Sequence, residues 1–113
     1  MYLYVETWNA KPEWFALNEA ERMAFVGKVQ TLLQGLSSDD LTLVGCIVSD
    51  DKIHQYGGYQ YVAIWRASDR DQIRRIEEGT AGIGWHDYFD QTNHGSDEVG
   101  PQQVLEHMLQ IKG

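Results

Sequence analysis

One cysteine, two prolines and nine basic residues are all that 113 positions hold, and each scarcity excludes something. A single thiol, Cys46, rules out an intrachain disulfide, so packing has to hold the chain together. Cys46 sits in the apolar run LTLVGCIVS, where a thiol is expected to behave as a small buried hydrophobe; a lone Cys also suits a reducing cytosol. Nine basic against seventeen acidic residues leave a net charge of −8. A surface that acidic repels phosphate backbones and anionic headgroups, so neither nucleic acid nor a membrane surface is expected as a partner. No apolar stretch approaches the roughly 20 residues a spanning helix needs. The N-terminal MYLYVETW has no basic region and meets Glu6 at once, so no signal peptide is expected. These absences lead to the expectation of a cytoplasmic protein.

What is present is a globular composition, 42% hydrophobic and 23% charged, at a length that suits one domain over residues 1–113. MYLYVETWN alternates and is rich in β-formers, so it reads as a strand. Pro12 stops it, and AKPEWFAL reads as a connection. Asn18 with Glu21 three residues on forms a capping box for a helix over residues 19–35, with Met23, Val26, Val29, Leu33 and Leu36 as its stripe. LTLVGCIVSD (41–50) and YQYVAIWRA (59–67) read as two strands joined through the Gly57-Gly58 turn. Ser68 caps a second helix that Gly79 is expected to end. GIGWHDYFDQ (82–91) reads as a fourth strand, TNHGSDEVG as loop, and PQQVLEHMLQI as a last helix begun by Pro101.

The order β-α-β-β-α-β plus a C-terminal helix is the ferredoxin-like α+β arrangement: a four-stranded antiparallel sheet with two helices on one face. Strand alternation divides that sheet. Leu3, Val5, Val62 and Ile64 are aliphatic and are expected under the helices. The opposite face then carries Tyr2, Tyr4, Glu6, Trp8, Tyr59, Tyr61 and Trp65, an aromatic surface with one embedded carboxylate. Left bare, it would be a large apolar patch. Either the C-terminal segment roofs it or a second copy packs on it, and a face-to-face homodimer would enclose a ligand-sized space.

Element order, length, aromatic face and extra helix together resemble the dimeric α/β-barrel superfamily. That superfamily includes antibiotic-biosynthesis-type monooxygenases, muconolactone-isomerase-like enzymes and stress-responsive barrel proteins. The texts MYLYVETWNAKPEW and GWHDYFDQTN are similar to one of its small uncharacterised bacterial families. The resemblance implies a homodimer through the sheet face. It implies a small-molecule cavity and an activity like that of a cofactor-independent monooxygenase or isomerase on an aromatic or carbonyl compound.

The stretch GIGWHDYFDQTNHG concentrates candidate chemistry. As a strand it places Ile83, Trp85, Asp87 and Phe89 on one side and His86, Tyr88 and Asp90 on the other; a bulge at Gly84 would exchange them. His86 is the natural acid/base candidate, since imidazole titrates near neutrality. Glu6, desolvated among aromatic rings, would hold its proton to higher pH and serve the same purpose. Tyr61 or Tyr88 could donate to a developing oxyanion. The expected catalytic set is therefore Glu6, His86 and Tyr61, with Tyr4, Trp8, Trp65, Trp85 and Tyr88 lining the ligand. No metal is expected: His86, Asp90 and His94 have suitable types without zinc-site spacing. No motif calls for a cofactor. Trp14 and Phe15 cap the core beside the first helix or form a lid. The competing account is a non-catalytic dimerisation or structural module whose aromatic face is the interface core.

Overall fold

The computed structural model describes residues 1–113. Its elements run β1 (Tyr2–Ala10), α1 (Pro12–Phe15), α2 (Glu19–Leu36), β2 (Leu41–Val48), β3 (Tyr61–Ala67), α3 (Arg70–Gly82), a 3₁₀ turn (Trp85–Asp87), β4 (Phe89–Asp97) and α4 (Pro101–Gln110). The four strands form one antiparallel sheet in the order β2-β3-β1-β4, the ferredoxin-like arrangement.

The start of α2 follows from its first four residues. The Glu21 N–H donates to Asn18 Oδ1 at 2.8 Å, and the Asn18 N–H donates to Glu21 Oε1 at 3.0 Å. This reciprocal box satisfies two backbone donors that a helix start otherwise leaves open. The buried stripe of α2 runs through Phe25 and Leu36, with Leu32 packed beside them; Met23, Val26 and Leu33 are exposed. Asp69, not Ser68, caps α3, accepting from the Gln72 N–H at 3.2 Å. Ile73 and Ile76 of α3 are buried. Gly79 does not end α3. It lies inside the helix at its crossing with α2, where a methyl group would run into the Leu32 side chain. The glycine is there for close approach, not for termination.

The helices cover the face opposite to the one expected. Tyr4 and Glu6 of β1, Ala63, Trp65 and Ala67 of β3, and Leu41 of β2 are buried beneath α2 and α3. Leu3 and Val5 lie on the other face, as do Val62 and Ile64, the last 39% exposed. The physical reason is volume. A helix packed on a sheet leaves a deep layer to fill, and Trp and Tyr fill it with about 150–250 Å² of burial each. The Trp65 indole N–H finds a partner there in Glu6, and the small Ala63 and Ala67 alternate with Trp65 along β3. Aliphatic residues suit a flatter, partly exposed face equally well. Tyr59, grouped with the aromatic face by alternation, lies ahead of β3 and hydrogen-bonds through its hydroxyl to Thr92.

Residues 82–88 are not strand; only Phe89–Gln91 of the expected strand belong to one. Gly84 adopts φ +81°, a left-handed conformation open to glycine at little cost, and turns the chain into the 3₁₀ turn that carries Trp85, His86 and Asp87. The fourth strand begins at Phe89 and runs through TNHGSD, the segment expected to be loop. The one irregularity in the sheet lies in β2, where the register shifts between Leu43 and Gly45. AKPEWFAL contains the short helix α1, and Trp14 packs into an aromatic cluster with Phe25, Tyr88 and Phe89, capping the core. α4 roofs neither face of the sheet: all its residues are exposed, including Val104, Leu105, Met108 and Leu109. No helix is long and apolar enough to cross a membrane.

Candidate functional site

The site forms where small residues interrupt the large ones under the helices. On β3, Ala63 stands two residues from Trp65, and across the ladder it pairs with Cys46 of β2 and Glu6 of β1. Neither Ala63 nor Cys46 reaches α2, so a cavity of about 150 Å³ remains between sheet and helices. Its roof comes from Leu32 and Leu36 of α2 and Ile76 of α3; Trp8, Trp65 and Trp85 form much of its wall. Glu6 is the only carboxylate on that wall, and no Lys, Arg or His lines it.

Glu6 is 8% exposed, and its two oxygens are held by neutral donors. Trp65 Nε1 donates to Oε1 at 2.7 Å, and Gln91 Nε2 donates to Oε2 at 2.8 Å. Gln91 is itself fixed: its Oε1 accepts from Trp85 Nε1 at 2.7 Å, and its Nε2 also donates to Asn93 Oδ1 at 2.8 Å. The chain Trp85–Gln91–Glu6–Trp65 therefore fixes both the rotamer of the carboxylate and the amide orientation of Gln91. Burial raises the pKa of Glu6 above its ordinary value; the hydrogen bonds from Trp65 and Gln91 and the charge of His86 offset part of that rise. Burial together with the neighbouring Glu6 also raises the Tyr4 hydroxyl and the Cys46 thiol.

Glu6 borders a second cavity, of about 210 Å³, with a different character. Its walls are polar, formed by Glu77 and Thr80 of α3, His86 of the 3₁₀ turn, and Gln91 and Asn93 of β4. The carboxylate thus stands at the boundary between an apolar compartment and a polar one. A group in that position can exchange a proton with a ligand on one side and with water or His86 on the other.

The structure brings together Glu6, Trp8, Trp65 and Trp85 at the apolar cavity, and Tyr4, Glu6 and His86 at the polar one. It does not bring Tyr61 to the Glu6 network. Tyr61 stacks on the outer side of the site against Trp8, with ring centroids 5.7 Å apart, and lines an open aromatic groove. Tyr88 packs edge-on against Phe25 at 4.9 Å, away from the carboxylate. His86 is exposed on the turn, not borne on a strand facing the sheet. Cys46, expected to be buried, is exposed by residue and touches the cavity from the sheet edge. Gln91, Asn93 and Thr80 escaped the sequence reading. Gln91 and Asn93 sit two apart, the spacing of one strand face, and that was the available signal once β4 is known to continue through them.

The cavity lies within one chain, between sheet and helices, and not between two facing sheets as the aromatic-face expectation required. Solved structures with this fold include a variant of chlorite dismutase from Candidatus Nitrospira defluvii, with a TM-score of 0.72 at 13% identity. The match covers 99% of this chain and 48% of that one. The same enzyme in complex with imidazole gives a TM-score of 0.65 at 11% identity, over 96% of this chain and 47% of that one. The protein At3g17210 from Arabidopsis thaliana matches with a TM-score of 0.55 at 11% identity, over 88% of this chain and 97% of that one. The chain thus spans about half the length of the chlorite dismutase chains it resembles. At these identities the likeness is one of fold. No curated protein sequence matches. A family model does match, over residues 1–111, and the chain belongs to that family, described as a family of unknown function, DUF6616.

Proposed function

We propose that this protein binds a small apolar molecule in the cavity beneath α2 and α3, and that Glu6 serves there as the acid/base group. The observation that supports this most is a buried carboxylate, oriented by Trp65 and Gln91, on the wall of an otherwise apolar cavity. A structural role alone would be met more cheaply by an apolar residue, because a buried carboxylate without a cationic partner destabilises the fold. The reaction class that fits is proton abstraction from an aromatic or carbonyl compound, the step on which cofactor-independent isomerases and monooxygenases rely. His86 exchanges protons with Glu6 across the polar cavity. Trp8, Trp65 and Trp85 contact the ligand. Tyr61 and Tyr88 shape the approach to it.

The molecule works as a homodimer in this reading, joined through the open aliphatic face of Leu3, Val5, Val62 and Ile64. The alternative, a dimerisation module without chemistry, draws on that open face alone and leaves the Glu6 network unexplained. The cytoplasm is the compartment that suits its composition.

A thermal-shift screen of one-ring carbonyl compounds and phenols tests the reading against Glu6→Gln and His86→Ala. The expected result is a melting-point rise with wild-type protein that Glu6→Gln diminishes. No stabilisation by any one-ring compound would overturn it.

A further inference from the structure

Resting on that reading, the charge inventory of the cavity narrows the class of ligand. Any ligand group that meets the carboxylate meets acceptor lone pairs, because both oxygens already receive an N–H from a neutral donor and the one imidazole nearby, His86, stands on the polar side, outside the apolar cavity. The indole N–H groups of Trp65 and Trp85 are committed within the network, as is the Gln91 amide, which leaves the Trp8 indole and the Thr80 hydroxyl as free donors on the wall, both neutral. An anionic ligand would therefore stand beside Glu6 with no basic residue on the wall to neutralise either charge. An ammonium ligand would complement Glu6. It would also have to shed its hydration in a compartment otherwise lined by Leu, Ile and Trp, which a neutral donor avoids. Size adds a limit: about 150 Å³ is the volume of a cavity that holds benzene.

We infer that this cavity takes an uncharged one-ring molecule bearing a hydroxyl donor, a phenol, with the O–H directed at the Glu6 carboxylate and the ring between Trp65, Trp85 and the Leu32–Leu36 roof. A phenolic O–H on a carboxylate is a charge-assisted hydrogen bond, about twice as strong as one between neutral groups. Carboxylates of the same size are excluded.

Four one-ring probes test this by titration of tryptophan fluorescence above neutral pH: phenol, toluene, benzoate and benzylamine. Phenol is expected to bind about tenfold more tightly than toluene, with no saturable binding of benzoate. Glu6→Gln is expected to bring the phenol-to-toluene ratio to within about threefold while toluene affinity holds. Benzoate binding as tightly as phenol, benzylamine binding most tightly, or an unchanged ratio in Glu6→Gln would each overturn the inference. If Glu6→Gln fails to fold, the wild-type ranking decides alone. Failure of all four, toluene included, would overturn the cavity reading itself, and so separates that failure from a wrong ligand class.

Discussion

The two faces of the sheet both carry apolar residues and do different things with them. Under the helices, large rings alternate with alanines, and the resulting gap holds a fixed carboxylate. On the open face, Leu3, Val5, Val62 and Ile64 stand among Thr7, Arg66, Thr92 and His94, with no buried charge. The first pattern creates an interior with one buried carboxylate. The second creates a surface suited to another flat surface. Bulk aromatic content therefore marks depth of layer here.

The largest expected effect that separates the faces is Trp65→Ala. Trp65 is 3% exposed and donates to Glu6, so its loss leaves a void and removes a donor from a buried carboxylate. A cost of about 3–5 kcal/mol is expected in urea unfolding. A change below about 1 kcal/mol would mean the covered face is not the core described here. On the neighbouring position but the opposite face, Ile64→Lys should leave the helix-covered fold intact by far-UV circular dichroism and convert dimer to monomer in sedimentation equilibrium. A dimer that survives the lysine would move the association surface elsewhere.

Next comes the pH dependence. The folded pKa of Glu6 lies above its unfolded value because of burial. The fold thus favours the protonated form. The associated stability is complete below the unfolded carboxylate pKa and is lost as pH rises through the folded one. The wild-type melting temperature should fall with rising pH across that window, and Glu6→Gln should remove this component of the slope. A slope that the substitution leaves untouched would assign the dependence to other carboxylates. The smallest expected effect is on the cover itself: Asn18→Ala removes the α2 cap and should cost about 1 kcal/mol without altering the cavity ligand preference.

Element order was legible in the sequence because local signals carried it. Asn18 and Glu21 stand at capping-box spacing, Pro101 opens α4, and the strand segments before and after Gly57-Gly58 are β-rich. Glu6 was legible as the one carboxylate in an aromatic strand. The face was not, because alternation separates two sets without saying which one the helices cover; that depends on how deep the layer is. Residues 85–88 misled through aromatic content, which strands and aromatic clusters share, while the Gly84 turn at φ +81° broke the strand before it began. Gln91 stood at the end of the expected strand with nothing to mark its partner, and Asn93 was hidden in a polar segment that only pairing with β1 makes a strand. Their role depends on standing across from Trp8 and Glu6, a non-local fact.

The most direct test of the central claim is a crystal structure of the protein soaked with bromobenzene, with the bromine located by anomalous scattering. One bromine site is expected beneath α2 and α3, among Trp65, Trp85 and Leu36. Bromine found only on the open aliphatic face, or nowhere, would contradict it.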